Sequence, residues 1–259
     1  MDAEARAVAE IERRARTLYG SAATRTVSGV LHCLSAVETA DGRLHVIKIG
    51  PHAPKSSTDF FVLNYWRAHA DAILTTAAIV RAEPALSHEL QGPQASELAM
   101  FRKLRLNKLE GPLCAILTRT GDVPLAHDLW NDKLPYRVLT SPERASTMQA
   151  ELATRAEVVG LPELDVTTAV AWLREQGATN ILIEAGPSTV NLLYGSSPGV
   201  DHLLISRFQG LFDPAAVGGA LVEPAQLFTG RSRVACSERT EESGPWRFER
   251  WDVTGSTGA

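Results

Sequence analysis

Short apolar runs alternate with helical segments along most of the chain, and no other feature restricts its fold so tightly. The runs fall at residues 27–34, 44–49, 72–78, 113–118, 136–140, 180–184 and 203–208. Uninterrupted apolar runs of about four to eight residues suit strands buried on both faces, and the helices between them provide the crossovers that parallel strands need. The fold expected is therefore α/β, with three layers: a mostly parallel central sheet covered by helices on both faces. After Gly218-Gly219 the pattern changes to short β segments without helices, which predicts antiparallel strands at one edge near the C-terminus.

Several helices are marked by their ends or their stripes. Val8, Ile11, Ala15 and Leu18 form one apolar stripe in residues 2–18, a helix that either packs on the domain edge or binds a partner. Ser56-Ser57-Thr58-Asp59 is a capping cluster for a helix running to Ala70. Residues 97–108 read as a basic helix whose Arg102, Lys103, Arg105 and Lys108 make a solvated face. Asp165 caps a helix with Val166, Ala169, Val170 and Leu173 turned inward, and Gly177 stops it. No repeat or long linker divides the chain. The expected organisation is a helical extension over 1–24, one α/β domain over 25–254 and a frayed tail over 255–259.

At 259 residues with 44% apolar side chains, a sizeable core needs no staple. The net charge of -4 argues against a broad nucleic-acid-binding surface. Cys33, Cys114 and Cys236 are far apart and include no C-x-x-C pair, so neither a zinc knuckle nor a disulfide framework is indicated. Cys33 and Cys114 stand in apolar runs and read as inert thiols. No apolar run approaches the ~20 residues of a membrane span. Asp2, Glu4, Glu10 and Glu12 make the N-terminus too acidic for a transit peptide, so the cytosol is expected.

The chemistry concentrates at Asn180-Ile181-Leu182-Ile183-Glu184-Ala185-Gly186-Pro187-Ser188-Thr189, where a buried strand runs into a Gly-Pro turn and a helix start. Ligands of open α/β sheets sit at the carboxyl ends of strands, and a helix start offers free N–H groups to a phosphate. Ser188 and Thr189 add hydroxyls, and Gly186 lets a ligand approach the backbone. The same pattern also fits a plain strand–turn–helix join with Ser188 as cap. Glu184, ending an apolar strand, must be solvated, paired or engaged by a ligand, and a pair of sugar hydroxyls would suit it.

This segment resembles the Glu-Gly-Gly-Pro motif of the reductase domain of bacterial riboflavin biosynthesis, a pyrimidine reductase family with a dihydrofolate-reductase-like fold. Asp41-Gly42 is similar to the family's Ser-x-Asp-Gly turn, with Ser35 displaced upstream. Arg67-Ala68-His69-Ala70-Asp71-Ala72-Ile73-Leu74 resembles its Leu-Arg-Ala-x-x-Asp-Ala-x-Leu segment. Residues 80–86, Val-Arg-Ala-Glu-Pro-Ala-Leu, and 115–125 resemble two further stretches. Val200-Asp201-His202-Leu203, Gly218-Gly219 and Gly244-Pro245-Trp246-Arg247-Phe248 follow in the family's order. The match covers roughly residues 27–252. It implies a homodimeric reductase that moves hydride from NADPH to a ribosylamino-pyrimidine phosphate. It also implies that Glu184 holds the substrate ribose, that Arg67 and Ser57 face its phosphate, and that Glu83 contacts substrate. Ala185, Gly186, Ser188, Thr189 and Thr76 would border the cofactor. The family's Gly-x-Gly-Thr is here Thr76-Ala77-Ala78-Ile79, and its Glu-Gly-Gly is Glu184-Ala185-Gly186. Two other functions stay open: a catalytically silent homologue that binds a nucleotide or metabolite, and a structural protein that uses the N-terminal helix to bind a partner.

Overall fold

The computed structural model describes residues 3–24, 28–196 and 199–254. The chain opens with α1 (Ala3–Tyr19). β1 (Gly29–Glu38) then turns at Asp41-Gly42, where Gly42 takes a φ of +77°, into β2 (Leu44–Ile47). Ser56 starts α2 (Ser57–His69) by accepting the Asp59 amide at 2.9 Å. β3 (Ala72–Thr76) passes directly into a short helix, α3 (Ala77–Ala82), and α4 (Ala95–Arg105) precedes β4 (Leu113–Leu117). β5 (Tyr136–Thr140), α5 (Pro142–Leu152), β6 (Glu157–Gly160) and α6 (Val166–Glu175) follow. β7 (Asn180–Ile183) leads into the one-turn helix α7 (Pro187–Val190), then β8 (His202–Phe208), β9 (Val217–Ala220) and α8 (Pro224–Phe228). The long hairpin of β10 (Arg231–Glu241) and β11 (Gly244–Val253) ends the described chain.

The strands form one sheet in the order β10-β11-β8-β1-β7-β3-β4-β5-β6. From β8 to β6 every neighbouring pair is parallel. β11 and β10 add antiparallel at one edge; β2 pairs antiparallel with the outer half of β1, and β9 pairs antiparallel with β2. One core lies between the sheet and the α1–α2–α4 side, with Tyr19, Phe61, Trp66, Leu98 and Phe101 buried in it. The other lies under α6, with Val166, Ala169, Val170 and Leu173 facing Ile181 and Ile183. This is the three-layer, mostly parallel architecture with antiparallel edge strands that the alternating pattern predicts. Among the described residues no helix is long and apolar enough to cross a membrane.

Some local expectations change. Residues 72–78 are one apolar run, but the strand stops at Thr76 because its hydroxyl caps a helix on the Ile79 amide at 3.4 Å. The expected basic helix starts earlier, at Ala95, and Arg102 is not solvated. Arg102 Nη1 donates to the carbonyls of Ala68 and Ala70 at 2.8 and 2.7 Å, and its Nε donates to that of Glu110 at 2.8 Å. It thereby satisfies carbonyls left open at the end of α2. α5 and β6 carry no strong pattern: β6 is a four-residue edge strand, half exposed along its length. The region after Gly218-Gly219 includes α8, and its two last strands are long, at 11 and 10 residues. The stripe of α1 is not free for a partner, since Ile11, Ala15 and Leu18 are buried in the main core. The start of the 27–34 run and the 255–259 tail lie outside the described residues.

Candidate active site

β7 lies between β1 and β3, although it comes far later in the chain. β3 leads onward to β4 on one side, whereas β7 leads to β8 on the other. Their connections diverge, and the carboxyl ends of two such neighbours open a crevice at a topological switch point. The Glu184 amide donates to the Leu74 carbonyl at 2.9 Å, which carries the ladder one residue past β7. Alternation along the strand turns Glu184 to the same face as Leu182, the face covered by α2. The chain then enters α7 with Gly186 at the cap and no side chain satisfying the first amides. A Cβ placed on Gly186 would have only Ile79 Cδ1 nearby, at 3.9 Å, so the turn is open on that side. Behind it, a Cβ on Gly219 would stand 3.3 Å from Pro187 Cγ, and glycine lets β9 support the turn closely.

Arg67, in the last turn of α2, reaches Glu184 with two parallel bonds, Nε to Oε1 and Nη2 to Oε2, each 2.7 Å. Its Nη1 donates to the Ser87 carbonyl at 2.9 Å and points to that of Glu89 at 3.4 Å. The pair is buried, with 4% and 12% of the side chains exposed. Burial alone would raise the Glu184 carboxyl; the Arg67 charge and its hydrogen bonds outweigh that and hold it below the ordinary carboxylate value. The fork geometry fixes the carboxylate plane at the crevice floor.

Glu83 follows α3 and is half-buried. Its carboxylate makes no hydrogen bond among the described residues. Burial, reinforced by the negative charge of Glu184, pushes its pKa up to about 7, with Arg67 opposing. The Glu83 carbonyl accepts from His127 Nε2 at 2.9 Å, and His127 Nδ1 accepts the Leu129 amide at 3.0 Å, which fixes the backbone beneath the carboxyl group. A carboxyl poised to be half protonated near neutral pH, next to one whose ionised form Arg67 favours, is the arrangement that separates acid from base.

The structure thus brings Arg67, Glu184 and Glu83 into one group, and it places Thr76 at the carboxyl end of β3 and Ala185, Gly186, Ser188 and Thr189 in the turn and helix start after β7. Two expected roles change. Arg67 was expected to face a substrate phosphate, but its donors are taken by Glu184 and two carbonyls. Ser57 stands at the other end of α2, about 15 Å of helix from Arg67, and its amide and hydroxyl bind the Glu241 carboxylate, both at 3.1 Å. Thr76 uses its hydroxyl to cap α3. Ser188 is exposed and Thr189 half-buried on the open turn. Sequence reasoning missed His88, whose Nε2 lies 4.0 Å from Glu184 Oε2, and the Tyr136 and Asp132 side chains behind it. No spacing or run marks His88 and Asp132, and the 136–140 run marks Tyr136 only as part of a strand. A separate concavity of about 390 Å³ between Thr120–Asp122 and α5 has a mostly polar lining, and none of the Arg67 group lines it.

The sequence model of the RibD C-terminal domain matches residues 33–236, most of the chain. The chain belongs to the RibD C-terminal domain family. No curated protein sequence matches it. Among solved structures, this family member is similar to a pyrimidine reductase-like protein of Corynebacterium diphtheriae, at TM-score 0.66 and 20% identity over 93% of this chain and 98% of that one. It also matches RibD of Acinetobacter baumannii at TM-score 0.61 and 17% identity, covering 91% of this chain but 60% of that longer one. The riboflavin biosynthesis reductase Rib7 of Saccharomyces cerevisiae follows at TM-score 0.53 and 14% identity, over 92% and 96%. At these identities the likeness is one of fold.

Proposed function

We propose that this family member is a reductase of the riboflavin-pathway type, which transfers hydride from NADPH to the sugar of a ribosylamino-pyrimidine phosphate. The observation that carries the reading is Glu83: a half-buried carboxyl with a pKa of about 7, beside a fixed Arg67–Glu184 pair at a switch-point crevice. The cofactor would meet the turn at Ala185–Thr189, where the Ser188 amide has no side-chain cap and Gly186 leaves room for a phosphate. NADPH, when bound, supplies the hydride. Glu184 presents its remaining lone pairs to sugar hydroxyls while Arg67 keeps its plane fixed. Protonated Glu83 holds a proton at its carboxyl oxygen for the sugar oxygen that is released as the ring opens.

One observation favours a silent homologue instead. Ile79 stands across from Gly186 where the family has a threonine, and its methyl narrows the path of a dinucleotide. Titration with NADPH, followed by tryptophan fluorescence, separates the two readings together with turnover of the ribosylamino-pyrimidine phosphate. Saturable binding with substrate-dependent NADPH oxidation supports the reductase. Binding without oxidation supports the silent homologue, and absence of binding removes the reductase.

A further inference from the structure

His88 is buried, with 1% of the residue exposed, in the loop between α3 and α4. Its Nδ1 lies 3.0 Å from the Tyr136 hydroxyl, and that hydroxyl donates to Asp132 Oδ2 at 2.7 Å. Asp132 also accepts the His88 amide at 3.1 Å and the Ser87 hydroxyl at 2.9 Å. A tyrosine hydroxyl has one proton, and here it goes to the carboxylate, the stronger acceptor. Nδ1 must therefore carry the imidazole proton and donate it to the Tyr136 oxygen. That leaves Nε2 as a bare lone pair. Among the described residues Nε2 has no hydrogen-bond partner, and it faces Glu184 Oε2 across 4.0 Å. Two buried acceptors facing each other are unfavourable, and a proton on Nε2 would turn their repulsion into attraction and draw the 4.0 Å gap towards hydrogen-bond distance.

The charged and titratable groups around His88 come from every side: Arg67 on α2, Glu184 after β7, Asp132 and His127 in the loop before β5, and Tyr136 on β5. Burial pulls the imidazole down to about 4; Glu184 and Asp132 push it up, and Arg67 and His127 push it down. The row is thus short of one proton at neutral pH. Asp132 is half-buried and precedes β5, whose amino end lies at the opposite end of the strands from the crevice.

We propose that Glu184, His88, Tyr136 and Asp132 form a proton relay joining the crevice to the amino end of β5. A proton arriving from the Glu184 side forms an Nε2–H bond, and the imidazolium is then held at both nitrogens. Nδ1 releases its proton to the Tyr136 oxygen as the Tyr136 proton passes to Asp132, so one proton enters, one leaves and no electrons are exchanged. The same steps in reverse deliver a proton from Asp132 to Glu184. Its use rests on the reductase reading, because reduction by hydride consumes one proton per turnover and bound ligands would close the crevice mouth to water.

The test needs no substrate. Nitrogen-15 NMR of the His88 ring at pH 7 should show Nδ1 protonated and Nε2 bare. In Tyr136→Phe, checked for folding by thermal denaturation, Glu184 is the remaining acceptor and the proton should move to Nε2. Asp132→Asn keeps the contacts but cannot take up a proton, and exchange of the ring proton with D2O should slow by at least about tenfold. A wild-type ring protonated at Nε2, or equal exchange in wild type and Asp132→Asn, overturns the relay. Should Tyr136→Phe not fold, the exchange comparison decides alone. NADPH oxidation with the pyrimidine substrate is measured separately; its failure removes the reductase reading and leaves the ring measurements standing.

Discussion

Replacing Arg67 with methionine should unfold this protein more readily long before it affects a substrate. Methionine keeps much of the side-chain volume but removes the charge, leaving Glu184 ionised and buried without its partner. Removing one member of a buried ion pair typically costs about 3–5 kcal/mol. With 4% and 12% of the two side chains exposed, solvent screens little of that. For a domain of this size such a loss lowers Tm by roughly 6–20 °C. The loss should depend on pH. In the wild type the folded-state pKa of Glu184 is held below its ordinary value, so its contribution is present above the unfolded value and fades as pH falls through the folded one. In Arg67→Met burial, opposed only by His88, raises the folded value, so the penalty is present at pH 7 and disappears below the unfolded value of about 4.3. Wild type and variant should therefore converge between pH 7 and pH 4. Urea unfolding followed by the fluorescence of the five tryptophans measures both. The double change Arg67→Met with Glu184→Leu should recover most of the loss, since an apolar pair leaves no charge behind. A loss under about 1 kcal/mol at pH 7, or the same loss at both pH values, would refute the assignment of this pair as a buried structural clamp.

Glu83→Gln should lower turnover by about 10²–10⁴-fold and abolish the fall in wild-type rate as pH rises through about 7, read from the pH profile of kcat/KM. An unchanged profile would mean that the proton comes from another group. Gly186→Val should eliminate NADPH binding in the fluorescence titration while the melting curve stays close to wild type, because an added Cβ meets only Ile79 Cδ1 at 3.9 Å. The long outer edge of β10 has no strand partner within the described chain, and a second copy would cover it. Light scattering should then give about twice the 28.0 kDa chain mass, and a single monomeric species would end that proposal.

The fold was legible because buried parallel strands and capped helices leave strong local patterns, and Asp165, Ser56 and the 180–184 run are read from a few residues each. Glu184 was legible for the same reason: a carboxylate ending an apolar strand demands an explanation. Its partner was not. Arg67 meets Glu184 across 117 residues only because β7 inserts between β1 and β3, and no local spacing encodes sheet order. Ser57 was misplaced because a cap residue and a site residue look alike until the length of α2 separates them. Arg102 reads as surface charge until the carbonyls it covers are seen. His88 and Asp132 belong to no run, Tyr136 reads only as the start of a strand, and their relation exists only in three dimensions.

The late arrival of β7 also has a consequence for how the molecule is made. A chain that has reached residue 179 already holds β1 and β3, but the place between them is empty and each offers an open edge. Docking β7 closes both edges in one event, and Gly29↔Asn180 and Ala72↔Ile181 are among the pairs it forms. Contacts of such long sequence separation form slowly. The same event carries Glu184 to Arg67, so the buried arginine waits for its counter-ion until the central strand is in place. A partly assembled molecule would carry an uncompensated cation beside two unpaired strand edges, which disfavours compact intermediates that lack the central strand and ties completion of the crevice floor to the joining of β1 and β3.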